Sequence, residues 1–191
     1  MSTRAEIVDT LAASRTQVLA FFQGLSPHDL ERPATASGVP GEAPWCAKDH
    51  LAHLVQSERN IQHLLRRALA GDTRDALLRW QYPASMPLPG ILGDWDALTP
   101  KEQEQLELAV AGVNETVRNA HRDDASARLA AEYLAARQDT LDLLRQFTDE
   151  HLAAAVPTVV REQTAGGLFA GLAAHATAHI SWVEDGWRRA G

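Results

Sequence analysis

The sequence predicts an all-α fold, a four-helix bundle of two helix-loop-helix halves related by a pseudo-twofold repeat, with a segment inserted in the middle. Three observations point that way. Helix formers (Ala, Leu, Arg, Glu, Gln) are abundant, whereas Gly 12 and Pro 9 are modest and β-branched runs are few. Apolar residues recur at steps of three and four, the period of a helix with one buried face. The two ends of the chain also match one another when one is shifted by 122 positions. A chain of 191 residues with 45% hydrophobic content can bury one core, so a single domain over residues 1–191 is expected.

Ser2 or Thr3 caps a first helix with apolar positions Ile7, Leu11, Val18, Phe21, Phe22 and Leu25, ended by Gly24 and Pro27. Glu31 to Pro44 contains Pro33, Gly38, Pro40 and Gly41 and reads as a long irregular connection, a kind that is often functional. A second helix runs from about Cys46 to Ala70 through Ala47, Leu51, Leu54, Val55, Ile61, Leu65 and Leu69, and Gly71 stops it. Regularity then drops. At most one short helix, Thr73 to Trp80, precedes a coil through Pro83, Pro87, Pro89 and Gly90.

Thr99 as N-cap, Pro100 at the first helical position and acids in the first turn start a helix that reaches about Ala120. Ser126 opens another, carrying Leu129, Tyr133, Leu134, Leu141, Leu144 and Phe147, and Thr148-Asp149-Glu150 caps the turn that follows. A second irregular connection through Pro157, Gly166 and Gly167 leads into the last helix.

The formal net charge of -7 and a pI of about 5.6 argue against a general binder of nucleic acid or anionic membrane, which needs a basic surface. A single cysteine, Cys46, excludes an intrachain disulfide and agrees with a reducing cytosol. The first twenty residues lack an apolar signal region and no stretch reaches transmembrane length, so a soluble cytoplasmic protein is expected.

The chemistry concentrates in the last helix. His175 and His179 are four apart, so both rings can reach one metal ion from a single helix face. With 8 His in the chain, chance alone yields such a pair roughly 0.3 times, so spacing is weak evidence. Position adds to it: Leu168, Leu172, His175, His179, Trp182 and Val183 form one stripe, which puts both rings inside and in need of partners. Two core histidines bonded to backbone or carboxylate remain the plainer account.

The repeat supplies a third ring. Leu25-Ser26-Pro27-His28-Asp29-Leu30 falls on Phe147 to Leu152, Ile7 on Leu129, Leu11 on Tyr133 and Arg15 on Arg137. His53 then corresponds to His175. Two related halves packed about an axis bring His53 towards His175 and His179, a three-imidazole set with an open position. His50 competes, because it lies nearer the middle of the apolar face than His53; periodicity prefers His50 and the repeat prefers His53.

Trp45-Cys46-Ala47-Lys48-Asp49-His50-Leu51-Ala52-His53-Leu54, with the His175-x3-His179 pair and the segments Asn114-Glu115 and Ser126 to Leu152, resembles the DinB-like superfamily over nearly the whole chain. That superfamily includes the metal-binding domain of mycothiol-dependent maleylpyruvate isomerases and the bacillithiol transferases. The resemblance implies an up-down-down-up bundle, usually a homodimer, holding a divalent metal, commonly nickel or zinc, on His53, His175 and His179. It places Trp45 and Asn114 in the pocket, and the stripe adds Trp182, although packing is the more ordinary role of either tryptophan. The isomerase branch has an acid where His175 stands, which points away from maleylpyruvate isomerisation.

The function expected from this set is a metal-dependent transferase that binds a low-molecular-weight thiol, such as bacillithiol or mycothiol, and joins it to a small electrophile. Three neutral imidazoles leave an ion its full charge and so lower the pKa of a bound thiol or water. A non-catalytic metal-binding stress-response module and a hydrolase using metal-bound water are the other readings. No nucleic-acid or membrane partner is expected. Cys46 could gain thiolate character at a helix start, but packing is commoner for a lone cysteine. Glu58, Glu184 and Asp185 read as solvated helix acids. The loop Gln81 to Asp96, with Trp80, Tyr82 and Trp95 around it, either covers the pocket or forms an interface.

Overall fold

Thr3 accepts from the Glu6 amide while the Glu6 carboxylate takes the Thr3 amide, and this reciprocal cap starts helix α1, Arg4–Gly24. The computed structural model describes residues 3–35, 43–71, 95–158 and 162–190. After α1 come α2 (Pro27–Glu31), β1 (Pro33–Thr35), β2 (Trp45–Cys46), α3 (Ala47–Leu69), a 3-10 turn at Trp95–Ala97 and α4 (Pro100–Ala120). The chain continues through α5 (Ser126–Leu144), α6 (Asp149–Ala153), β3 (Ala155–Pro157), β4 (Glu162–Thr164) and α7 (Ala165–Ala190). The fold is all-α apart from two short antiparallel pairs, β1 with β2 and β3 with β4. No described helix is long and apolar enough to cross a membrane.

The predicted starts and stops are met closely. Thr99 caps α4 with Pro100 in its first turn, Thr148 caps α6, and Gly71 closes α3 at a φ of 74°, a conformation that L side chains rarely adopt. Two expectations are corrected. The connections expected to be irregular each contain a small hairpin. Gly166 and Gly167 lie inside the first turn of α7, because the Thr164 hydroxyl accepts from the Gly167 amide and Gly166 leaves room for the Leu152 carbonyl. The short helix over Thr73 to Trp80, the coil after it and nearly all of the Gln81 to Asp96 loop lie outside the described residues.

The repeat is visible in the boundaries themselves. α2 and α6 stand 122 positions apart at both ends, as do β1 and β3, and α1 and α5 start with the same separation. α1 packs on α5 and α7, α3 packs on the same two, and α4 lies against α3. Two apolar clusters fill the interior. One joins Ile7 and Leu11 of α1 to Leu64 and Leu65 of α3, Leu144 of α5 and Phe169 of α7; the other joins Val18, Leu51, Leu129 and Val183. Membership of the clusters makes α1 and α7 run one way and α3 and α5 the other.

Between the clusters lies a buried polar layer. The Glu58 carboxylate meets the Arg137 guanidinium at 2.5 Å and accepts from the Thr140 hydroxyl at 2.5 Å. Arg137, fully buried, also donates to Ser14 Oγ (2.8 Å), the Tyr133 hydroxyl (3.0 Å) and the carbonyls of Leu11 and Leu172 (both 3.3 Å). Glu58 is 1% exposed, which corrects its reading as a solvated acid: the cation that satisfies it sits on another helix.

Candidate metal centre

The site forms where the N-terminal half of α3 passes the middle of α7. Cys46 caps α3, its amide donating to Asp49 Oδ2 at 2.9 Å, and this start places His50 and His53 on the first two turns of the helix. α7 supplies His175 and His179 from successive turns. One ring nitrogen from each of His53, His175 and His179 lies within 4.8 Å of the others. His175 Nε2 is 3.4 Å from His53 Nε2 and 3.0 Å from His179 Nε2. Two nitrogens sharing one tetrahedral ion sit about 3.3 Å apart, so the donor set fits a divalent metal in chemistry and in spacing.

His50 is not in that group. It is 2% exposed, its Nδ1 faces His179 Nδ1 at 2.7 Å and its Nε2 faces Thr35 Oγ1 at 3.1 Å. Periodicity therefore ranks His50 correctly as the more buried ring, while the repeat picks the one that joins the cluster. Ser57 Oγ lies 3.1 Å from His53 Nε2.

All four rings are held neutral. Burial pushes His50 down to about 4, and the repulsion it would meet from a protonated His175 acts the same way. Burial and then the neighbouring rings His175 and His50 push His53 to about 3, against a smaller upward pull from the Asn114 side chain. His179 is lowered by burial and by His53, His175 and His50; His175 is lowered by burial and by the Arg137 guanidinium. Neutral imidazoles with exposed lone pairs are the form that coordinates a cation.

A cavity of about 870 Å³ opens over the cluster, and Trp45, Asn114 and Trp182 all line it. The Trp45 ring packs 5.2 Å from both His50 and His53, and its indole N–H is buried with no partner. Trp182 edges onto His179 at 4.6 Å but is 48% exposed, so the stripe that placed it inside is corrected: it stands at the cavity mouth. Sequence reasoning missed Thr35 and Arg189 in the lining; Asp185, also there, is 41% exposed in its side chain and paired with Arg188, in keeping with its reading as a solvated acid. Cys46 is buried and burial pushes its thiol up to about 11, which agrees with the packing role expected of it and leaves no thiolate at the helix start.

No model of a known protein family matches the sequence, and no curated protein matches it. Among solved structures the chain is similar to an uncharacterised protein from Escherichia coli UTI89, with a TM-score of 0.65 at 12% identity over 99% of this chain and 95% of that one. It is similar to the sibling lethal factor precursor DfsB, with a TM-score of 0.61 at 15% identity over 99% and 96%. The colibactin self-resistance protein ClbS, solved in complex with a dsDNA, gives a TM-score of 0.60 at 11% identity over 96% of each chain. At these identities the likeness shows a shared helical fold.

Proposed function

We infer that this chain is a divalent-metal-binding protein of the DinB-like kind that transfers a low-molecular-weight thiol to a small electrophile. The observation that carries the reading is the convergence of His53, His175 and His179 beneath the cavity. His53, His175 and His179 would hold a nickel or zinc ion there, and such an ion would supply a Lewis-acidic position able to lower the pKa of a thiol or water.

The chain's own residues do the rest. The indoles of Trp45 and Trp182 and the side chain of Val110 give the cavity an apolar wall against which a ligand can pack. Asn114, on α4, reaches the same space with an amide that can orient a polar group. The cavity volume suits a molecule of thiol-conjugate size. The one cysteine is buried with a raised pKa, so the sulfur nucleophile has to come from a small molecule such as bacillithiol or mycothiol. The same reading makes the protein a cytoplasmic homodimer with no nucleic-acid partner; the dsDNA belongs to ClbS.

Metal analysis of the purified chain tests the first half. One nickel or zinc per chain, lost in His53→Ala, His175→Ala and His179→Ala alike, supports the site; retention in all three removes it. Conjugation of bacillithiol, mycothiol or glutathione to electrophilic substrates, dependent on the metal, supports the transferase. Turnover without any thiol supports hydrolysis instead, a reading favoured by the Asp185 carboxylate in the cavity lining. Bound metal without turnover leaves a metal-binding stress-response module.

A further inference from the structure

Each converging ring has a second nitrogen, and for His179 its surroundings are defined. His179 is 3% exposed and turns Nε2 towards His175 and Nδ1 towards His50 Nδ1, 2.7 Å away. Two ring nitrogens at that distance share one proton: both cannot carry one, and neither is satisfied if both lack it. His50 Nε2 has the Thr35 hydroxyl at 3.1 Å, whose oxygen can accept.

The two directions of this chain differ in consequence. With the proton of His50 on Nε2, donated to Thr35, His50 Nδ1 is an acceptor and His179 holds its proton on Nδ1. The lone pair of His179 Nε2 then faces His53 and His175. In the reverse direction His179 carries its proton on Nε2, inside the cluster, and that nitrogen is closed to a cation.

We propose that His50 is a positioning residue and not a ligand: with Thr35 it fixes the Nδ1–H form of His179 and so presents Nε2 to a divalent cation. The proposal rests on the metal reading of the site. It follows from geometry, because His50 is not one of the group of three: its Nδ1 faces the outer nitrogen of His179 and its Nε2 faces Thr35. A partner that holds the far nitrogen of a ligating imidazole raises its basicity and fixes its orientation.

Zinc affinity of the full chain, measured by competition with a chromophoric chelator, is compared for wild type, His50→Leu, His50→Gln and Thr35→Val. His50→Leu is expected to keep one ion per chain with Kd raised about 10- to 100-fold. His50→Gln, whose amide oxygen can accept from His179, recovers most of the loss. Cobalt-loaded wild type and His50 variants share one absorption spectrum, since the three coordinating rings stay. In the metal-free protein, imidazole nitrogen NMR finds the proton of His179 on Nδ1 and that of His50 on Nε2.

An unchanged Kd in both His50 variants overturns the proposal, as does a proton on His179 Nε2. Loss of the ion from His50→Leu and His50→Gln, or an altered cobalt spectrum, makes His50 a ligand and also overturns it. If wild type takes up no metal, the metal reading alone falls and the nitrogen spectrum still decides the relay. If His50→Leu does not fold, His50→Gln and Thr35→Val carry the comparison, with Thr35→Val weakening zinc severalfold.

Discussion

Gly186 of α7 lies directly against the backbone of Ala34 in β1: a Cβ at Gly186 would stand 1.4 Å from the Ala34 carbonyl oxygen. The next residue of β1 is Thr35, the hydroxyl partner of His50, so this contact sets how close the hairpin sits to the histidines. Alanine normally improves a helix by about 1 kcal/mol over glycine. Here the obstacle is backbone, which cannot swing aside, and overpacking costs about 1–3 kcal/mol or more. Gly186→Ala is therefore expected to lower stability, and Tm by several degrees, with β1 displaced from α7. A Tm at or above wild type in thermal circular dichroism counts against this close packing.

Glu58 and Arg137 form the other interior contact with a large predicted effect. Glu58→Leu leaves the guanidinium of Arg137 buried without its counter-charge, and Arg137→Leu does the same to the carboxylate. Each is expected to cost about 3–5 kcal/mol in urea unfolding, whereas the double variant recovers much of the loss because no buried charge is left alone. Additive losses in the double variant contradict a coupled pair.

Which features were legible follows from where their causes lie. Thr3, Thr99 and Thr148 announce helix starts because capping acts over three residues of sequence. The repeat was readable because both halves keep the same order of helix end, cap and short helix, and it selected His53 over the more buried His50. The Glu58–Arg137 pair joins α3 to α5, and one helix's periodicity says nothing about a partner on another. Trp182 follows the stripe but sits where the helix edge meets the cavity, beyond the reach of a periodic argument. The hairpins escaped notice because a pair of two or three residues leaves no alternating pattern to count.

Ser57 stands 122 positions before His179, so the pair His53 and Ser57 on α3 answers His175 and His179 on α7. The hydroxyl occupies His53 Nε2, a nitrogen that a bound ion would require. Giving up a hydrogen bond of about 1 kcal/mol net corresponds to roughly fivefold in affinity. Ser57→Ala is accordingly expected to bind zinc about fivefold more tightly, read by chelator competition. Weaker binding in Ser57→Ala means that the hydroxyl supports the ion instead of competing with it.

Acid should unfold the metal-free chain through these same rings. In the unfolded chain a histidine takes up a proton near pH 6.5, whereas in the fold His50 stays neutral down to about 4 and His53 down to about 3. Below pH 6.5 the unfolded state thus binds more protons. The contribution of each ring is fully present above 6.5 and is lost progressively as pH falls towards its folded value, by up to about 1.4 kcal/mol per pH unit. The Arg137 guanidinium near His175 acts in the same direction, disfavouring a second positive charge. Urea midpoints of the metal-free protein are expected to drop steadily from pH 6.5 to about 4.5, and His50→Gln, with one fewer titrating ring, to drop less steeply. Zinc steepens the fall, because protonating the donors releases the ion that stabilised the fold. Midpoints that stay level across this window mean the rings are not buried and neutral in solution.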